Sequence, residues 1–363
     1  MARTLILSID AMGGDFAPQS VIDGCVIARV RHPNVKFILH GPAQRIMELL
    51  QPHGELRASC EVRDASDVVG MHDKPSQALR RGRTTSMWRA LESVRHHEAD
   101  VAVSAGNTGA LMAMAKFQLR PMEGIVRPAI VAIWPTMRGQ SVVLDVGANI
   151  GSDPLQLVDF AVMGGAFARA VFGLNRPTLG LLNIGTEEIK GNEAVKTAAK
   201  LLKESRALPF DFKGFVEGDD ISAGTVDVVV TDGFTGNVAL KAAEGTARLI
   251  AHYLRSALTR SFFAKIGAFL ARGAFSVLRT KMDPRSVNGG VFLGLNGVVV
   301  KSHGGTDGLG FASAVDLAVE MARNEMPRRI AEDLKTIAPI IAQLQTQKPR
   351  QPVLPEPGVA LAP

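Results

Sequence analysis

The pattern that decides the fold is already complete in Leu5-Ile-Leu-Ser-Ile-Asp-Ala-Met-Gly-Gly-Asp15, where an apolar run ends in a polar, glycine-rich turn. A helix-like segment follows this turn. Five more β-branched runs lead into turns of the same kind, and they end at Ser104, Leu144, Leu182, Val230 and Val300. Strands that alternate with helices predict an α/β fold with a mainly parallel sheet and helices on both faces.

The stretch from Ile130 to Leu144 departs from this pattern. Arg138 and Gly139 separate two strand-like runs there, which is typical of a hairpin. We therefore expect the sheet to be mixed.

The length of 363 residues allows one large α/β unit or two medium domains, and we expect a single α/β domain that spans residues 1–338. The proline-rich residues 339–363 have the composition of a disordered tail. The two cysteines, Cys25 and Cys60, lie outside any CxxC or CxxH context, so neither a disulfide framework nor a zinc site is predicted. No signal peptide and no apolar run of roughly 18 residues is found, which predicts a cytoplasmic protein without a membrane span.

The net charge of +6 is concentrated in one segment. Residues 246–282 hold seven Lys or Arg and no Asp or Glu, whereas the rest of the chain carries 34 basic and 35 acidic residues. This segment therefore predicts a surface for an acidic partner. Its basic residues lie among Phe and Leu, and aromatic residues are only 5% of the chain, which argues against a nucleic-acid-binding groove.

The turns indicate an anion site. In open α/β sheets, ligands bind beyond the carboxyl ends of the strands. We expect all six glycine-rich turns to meet at one such edge, where backbone N–H groups can approach a phosphate closely. The patterns GxGxxG, GxxxxGK[ST], GxSxG and HExxH are absent, so dinucleotide sites, P-loops, hydrolase elbows and zincins lack support.

Six motifs together resemble the bacterial phosphate acyltransferases of phospholipid synthesis. They are Asp10–Asp15, Ser104–Ala110, Asp145–Asn149, Asn183–Asn192, Thr231–Asn237 and Gly294–Asp307. The resemblance covers residues 4–335 in order. It implies a Rossmann-like, three-layer αβα fold, related to those of phosphotransacetylases and isopropylmalate dehydrogenases. It also implies acyl transfer from acyl carrier protein to inorganic phosphate, no cofactor, a homodimer, and peripheral association with the inner face of the cell membrane.

Such a reaction needs an anion cradle, a cation or amide directed at the developing oxyanion, and a groove for the acyl chain, and it requires no metal. Lys190 is the first candidate for the cation, and the family position similar to it is expected to be catalytic. The alternative is a solvated lysine paired with Glu187 or Glu188. Asn237 is the candidate amide donor, and its alternative is a helix cap.

The remaining candidates lie in the other turns. We expect the cradle to comprise Gly13, Gly14, Gly106, Asn107 and Thr108. Asn149 is expected to bind substrate, and Asp232, like Asp15, to orient neighbouring groups near it. His303 is expected either to transfer a proton or to cap the last strand.

The basic segment carries a second prediction. Phe-rich residues with unbalanced cations favour a surface for anionic lipid headgroups or for acidic acyl carrier protein; they are Arg260, Phe262, Phe263, Lys265, Phe269 and Arg272. For the first half of the segment, a helix packed on the core is an equally open reading.

Two other functions remain open from the sequence. One is a phosphotransacetylase-like enzyme that uses acyl-CoA. The other is a non-catalytic scaffold for phospholipid enzymes.

Overall fold

The computed structural model describes residues 4–205, 208–275 and 288–335. The tail predicted from residue 339 and residues 276–282 of the basic segment lie outside the described residues. Eleven strands form one sheet. In chain order, β1 to β11 are Leu5–Asp10, Val35–Gly41, Cys60–Asp64, Val101–Ser104, Ala129–Thr136, Gly139–Leu144, Thr178–Leu182, Asp211–Val216, Val228–Val230, Gly290–Leu293 and Val298–Lys301.

Helices connect most of these strands. In chain order, α1 to α12 are Gln19–Arg31, Ala43–Leu50, Gly54–Ala58, Pro75–Arg81, Ser86–Arg95, Thr108–Leu119, Pro154–Val171, Glu193–Glu204, Gly218–Ala223, Gly233–Thr259, Phe262–Leu270 and Gly308–Arg323. Residues 82–84 form a 3₁₀ turn, and residues 272–275 and 326–335 are also helical. Within the described ranges, no helix is both long and apolar enough to cross a bilayer.

The sheet is mixed, as the sequence predicts. Its strand order is β3-β2-β1-β4-β11-β10-β5-β6-β9-β7-β8. Neighbours are parallel except for the pairs β11–β10, β10–β5 and β5–β6. The hairpin predicted around residues 138–139 is confirmed, since Thr136 of β5 pairs with Gly139 of β6.

The side chains of successive strand residues point to opposite faces of the sheet. In β1, Leu7 and Ile9 belong to a core that also includes α1, α7, α8 and α12 residues. The side chain of Ile6 packs instead on the other core, which includes α5 and α6 residues. Helices thus cover both faces, which confirms the predicted layered α/β architecture.

The expectation that all six turns meet at one sheet edge is wrong. Three antiparallel pairings separate β11 from β6, so β6, β7 and β9 run opposite to β1, β4 and β11. The carboxyl ends of the first three strands therefore lie at one edge and those of the other three at the opposite edge. The physical reason is that each antiparallel neighbour reverses strand direction, and an odd number of reversals leaves the two halves opposed.

Candidate active site

The turns form two groups, one at each edge. The Asp10 cluster comprises residues 10–15, 104–108 and 301–307, after β1, β4 and β11. The Asp145 cluster comprises residues 145–152, 183–192 and 231–237, after β6, β7 and β9. The predicted cradle residues and His303 belong to the Asp10 cluster, whereas Lys190, Asn149, Asp232 and Asn237 belong to the Asp145 cluster.

A buried carboxylate organises the Asp10 cluster. Asp10 accepts hydrogen bonds from the hydroxyls of Ser86 and Ser104, each at 2.6 Å. Ser104 Oγ in turn accepts from the Gly106 N–H at 3.0 Å. Burial raises the pKa of Asp10, and the two hydroxyl donors oppose that rise. Asp10 therefore positions the turns, because its oxygens are occupied within the protein.

Glycine is required where these turns meet. A Cβ on Gly13 would lie 2.6 Å from the backbone nitrogen of Gly106. Gly14 has φ +106°, and its Cβ would lie 2.9 Å from the Gly304 oxygen. The Asp15 N–H donates to that same oxygen at 2.9 Å. The three turns are thus in backbone-to-backbone contact, which permits close approach of a small anion.

Asn107 and Thr108 begin α6. The Asn107 side chain caps the helix by accepting from the Ala110 N–H at 3.1 Å. Its amide N–H groups donate to the carbonyls of Met71 and Asp73, both at 2.9 Å. The side chain of Asn107 is therefore engaged in holding residues 70–73 against the cluster, and Thr108 is exposed at the start of the helix.

Two lysines that sequence reasoning missed also belong here. Lys301 ends β11, and its Nζ donates to the Ala105 carbonyl at 3.2 Å and to the Ser302 carbonyl. Lys241 of α10 places its Nζ 3.2 Å from Nε2 of His303. Burial lowers the pKa of Lys301 to about 8, and burial with nearby Lys241 lowers that of His303. The sequence does contain a signal for Lys301, because this charged residue directly follows the apolar run Val298-Val-Val.

Asp145 organises the second cluster. Its carboxylate is fully buried and accepts from the backbone N–H groups of residues 130, 147, 148 and 149 and from the Asn149 side chain, at 2.8–3.1 Å. Burial raises the pKa of Asp145, whereas these donors favour the ionised form. The other Asn149 amide hydrogen goes to the Pro128 carbonyl at 2.9 Å, which leaves only the amide oxygen of Asn149 for a substrate.

The start of α10 packs directly on this turn. Cβ atoms on Gly233 and Gly236 would lie 2.4 Å from the Asn149 oxygen and 2.0 Å from the Asp145 oxygen. Asp232 caps the helix by accepting from the Thr235 N–H at 3.0 Å. Asn237 follows on the exposed side, next to Gly147, where a Cβ would lie 3.6 Å from the Asn237 Cγ. Its amide has no hydrogen-bond partner in the part of the chain that the structure describes, so it is available to a ligand.

Lys190 lies in the loop after β7. Its Nζ pairs with Glu187 at 2.8 Å, its side chain is 45% exposed, and the pairing raises its pKa. Asn183 fixes the loop by donating to the carbonyls of Gly185 and Lys190, both at 3.1 Å. Lys190 is thus a charged, accessible lysine on a well-anchored loop, and it is paired with one of the two acids that the sequence suggested.

Helix α10 connects the two clusters. Asn237 and Lys241 are four residues apart and therefore lie on the same helix face, with Cβ atoms roughly 6 Å apart. Asn237 touches the Asp145 cluster, and Lys241 reaches His303 of the Asp10 cluster. One face of α10 thus contacts both clusters.

The basic surface lies further along the same helix and on α11. Phe262 and Phe263 are 73% and 82% exposed, and Phe269 is also exposed. The Arg272 guanidinium lies 4.9 Å from the Phe269 ring centroid, which is a cation–π distance. Arg260 and Lys265 are also exposed.

Both cysteines pack in or against the hydrophobic core. Cys25 is buried, and burial raises its thiol pKa; burial raises that of Cys60 to about 12. Within the described ranges, no group of three His, Cys, Asp or Glu side chains could hold a metal ion.

Comparisons with known proteins bear on the reaction. The family model described as "Fatty acid synthesis protein" matches residues 5–329. The phosphate acyltransferase of Sinorhizobium medicae is 60% identical over 329 residues, which cover 90% of this chain and 95% of that protein. The phosphate acyltransferase of Agrobacterium fabrum is 61% identical over 330 residues, covering 91% and 94%. A phosphotransacetylase from Streptococcus pyogenes has the same fold, with a TM-score of 0.59 at 16% identity over 89% of this chain and 95% of that one.

Proposed function

This chain belongs to the phosphate acyltransferase family, and we propose that its acyl donor is a long-chain fatty acyl group carried on acyl carrier protein. The enzyme is an acyltransferase with phosphate as the acceptor. The proposed product is an acyl phosphate used for phospholipid synthesis. The activity is assigned to the α/β domain of residues 1–338, and the tail from residue 339 receives no role.

The observation that carries this proposal is the convergence of both clusters on one face of α10. A phosphate oxygen held at the glycine-rich Asp10 cluster attacks the thioester carbon, and a tetrahedral intermediate forms. The carbon–sulfur bond then breaks, and the carrier thiolate leaves with the electron pair. Holding the two reactants together supplies much of the rate enhancement.

Asn237 and Lys190 are assigned to the oxyanion that develops in this step. The Asn237 amide is exposed and free to donate at the Asp145 cluster. Lys190 belongs to the same cluster and is positively charged. In the reaction its ammonium group would leave Glu187 and pair with the oxyanion. A preorganised donor of this kind contributes about 100- to 1,000-fold in kcat.

The carrier-bound donor is favoured by the surface of α10 and α11. Exposed aromatic rings alternate there with cations that have few acidic neighbours. Acyl carrier protein and anionic lipid headgroups are both negatively charged, so we assign this surface to one or both. A homodimer and peripheral attachment to the cytoplasmic face of the membrane complete the proposal.

Acyl-CoA is the second candidate donor, because the fold is shared with phosphotransacetylases. Phosphate-dependent thiol release from palmitoyl carrier protein and from palmitoyl-CoA, measured side by side, separates the two. Faster turnover of the CoA thioester would overturn the carrier-protein assignment.

The catalytic assignment is tested with Lys190→Ala in the same assay. The matched control is Lys200→Ala, a surface lysine on α8 that pairs with Glu204 at 3.8 Å. We expect release to fall about 100-fold or more in Lys190→Ala and to stay within twofold of wild type in the control. Equal activity in the two variants would remove Lys190 from the site, and no release from either donor would favour the scaffold function.

The surface assignment is tested by reversing the charges of Arg260, Lys265 and Arg272 together. We expect weaker binding to vesicles that contain anionic phospholipid, or a higher KM for palmitoyl carrier protein, or both. If neither quantity changes, this surface has no such role.

A further inference from the structure

Two lysines converge on the Asp10 cluster from different elements, Lys301 from the end of β11 and Lys241 from α10. We propose that these two side chains bind the phosphate that attacks the thioester, with Lys301 as the inner cation and Lys241 as the outer one. This inference rests on the proposed function, and it names the phosphate-binding groups within that site.

The position of Lys301 is fixed by the sheet. Lys301 pairs in register with Ser104 of β4, so its side chain emerges beside the turn that follows β4. Its ammonium donates to the carbonyls of Ala105 and Ser302. An ammonium has three N–H donors, and one therefore remains for a ligand.

The charge of Lys301 is incompletely balanced. In the part of the chain that the structure describes, Lys301 makes no ion pair within 4 Å. Asp10 lies near enough to favour its charged form, but its carboxylate makes its side-chain hydrogen bonds to Ser86 and Ser104 rather than a direct ion pair with Lys301. Burying a cation without a paired anion costs free energy, and a bound phosphate would relieve that cost.

Lys241 reaches the same region from helix α10. Its Nζ lies 2.9 Å from Glu244 and 3.2 Å from Nε2 of His303. Lys241 and Lys301 repel each other, and each also lowers the pKa of His303. A dianion between the two ammonium groups would replace this repulsion by two attractions.

Other charged groups face this position and set its pH dependence. Asp10 and Asp15 come from β1 and its turn, Glu244 and Arg248 from α10, and His303 from the turn after β11. Burial lowers the pKa of Lys301 to about 8, so Lys301 is mainly charged at neutral pH and loses its proton just above it. Phosphate binding should weaken over that pH range.

A purely structural role for Lys301 makes a different prediction. If Lys301 only tied the ends of β4 and β11 together, its loss would lower stability or kcat and change both KM values alike. A phosphate ligand instead affects the KM for phosphate and leaves the KM for the acyl donor near its original value. The two roles are therefore distinguished by comparing these two constants.

The test uses Lys301→Met, Lys301→Arg and Lys241→Met in the full chain, with Lys196→Met on α8 as the control. Phosphate-dependent thiol release gives both KM values, and the rise in melting temperature with added inorganic phosphate gives binding without turnover. We expect the phosphate KM to rise about tenfold or more in Lys301→Met and several-fold in Lys241→Met, as for lost charge-assisted hydrogen bonds. In Lys301→Arg the weakening above pH 8 should disappear, because arginine stays charged.

The outcomes separate this inference from the proposed function. An unchanged phosphate KM and an unchanged melting-temperature rise in Lys241→Met would overturn it, even if Lys301→Met fails to fold. If wild type released no thiol from either donor, but phosphate still raised its melting temperature and the lysine variants lost that response, the phosphate site would stand and the proposed function would fall.

Discussion

Gly236 offers a sharp test of whether the packing of α10 on the Asp145 turn sets the active geometry. In Gly236→Ala, the new Cβ would lie 2.0 Å from the Asp145 carbonyl oxygen. A carbon–oxygen contact needs roughly 3.3 Å, so the first turn of α10 must move by about 1.3 Å. Asn237 is the next residue, and its amide would move with the helix.

The expected effects on activity and stability differ in size. A displacement of 1 Å at a reacting centre can cost about 100-fold in rate. Overpacking lowers the free energy of unfolding by about 1–3 kcal/mol, and the higher helix propensity of alanine raises it by up to about 1 kcal/mol. The variant should therefore fold, with the free energy of unfolding lowered by about 0–3 kcal/mol, yet lose most of its phosphate-dependent thiol release.

Gly245 provides the matched control on the same helix. A Cβ there would meet nothing within 4 Å, so Gly245→Ala should keep kcat within twofold and gain up to about 1 kcal/mol of stability. Urea unfolding and palmitoyl-carrier-protein turnover, measured for both variants, give the comparison. If Gly236→Ala keeps more than a third of wild-type kcat, the position of α10 on this turn does not control catalysis.

Three further predictions concern His40, Glu187 and Cys60. Burial lowers the pKa of His40 to about 3, whereas His40 in the unfolded chain has a pKa near 6.5. Between these two pH values the unfolded chain therefore binds more protons than the folded chain. The free energy of unfolding should consequently fall by about 2 kcal/mol from pH 7 to pH 5. In urea titrations, His40→Gln should not show this fall. A fall of equal size in the variant would refute the assignment to His40. Glu187→Gln should free Lys190 from its ion pair and leave thiol release within about threefold of wild type, since the lysine keeps its charge; a collapse comparable to Lys190→Ala would instead make Glu187 essential. Cys60→Ser should retain full activity, because a thiol whose pKa burial raises to about 12 is a poor nucleophile, and inactivation of this variant would contradict that.

Much of the fold could be predicted from strand ends and turn residues. The runs that end at Asp10, Ser104 and Leu144 are strands, and the hairpin of residues 130–144 is present. The opposed sheet halves were missed because the strand order, and with it the number of antiparallel pairs between β11 and β6, depends on tertiary contacts. The hairpin of β10 and β11 was missed as well. Its signal is Asn296-Gly297, a dipeptide typical of tight hairpin turns.

The site was harder to predict because its groups meet through tertiary structure. Sequence motifs placed the candidate residues in turns at strand ends, but the contact between Lys241 and His303 joins positions 62 residues apart. Asp145 lies in a polar turn directly after a strand, which is a position typical of residues that bind substrate. The structure shows instead that its carboxylate is occupied by five donors of its own turn and of Ile130.

The insertion of β11 between β4 and β10 also governs the order of events during synthesis. Ala105, at the end of β4, and Lys301, at the end of β11, are 196 residues apart. At 5–20 residues per second, β4 leaves the ribosome about 10–40 s before the strand that pairs with its second edge. During that interval the nascent amino-terminal half presents an open strand edge, and the face of α1 that α12 later covers is bare. An unpaired strand edge is a template for intermolecular pairing, so the synthesis of β11 removes one potential aggregation site from the chain.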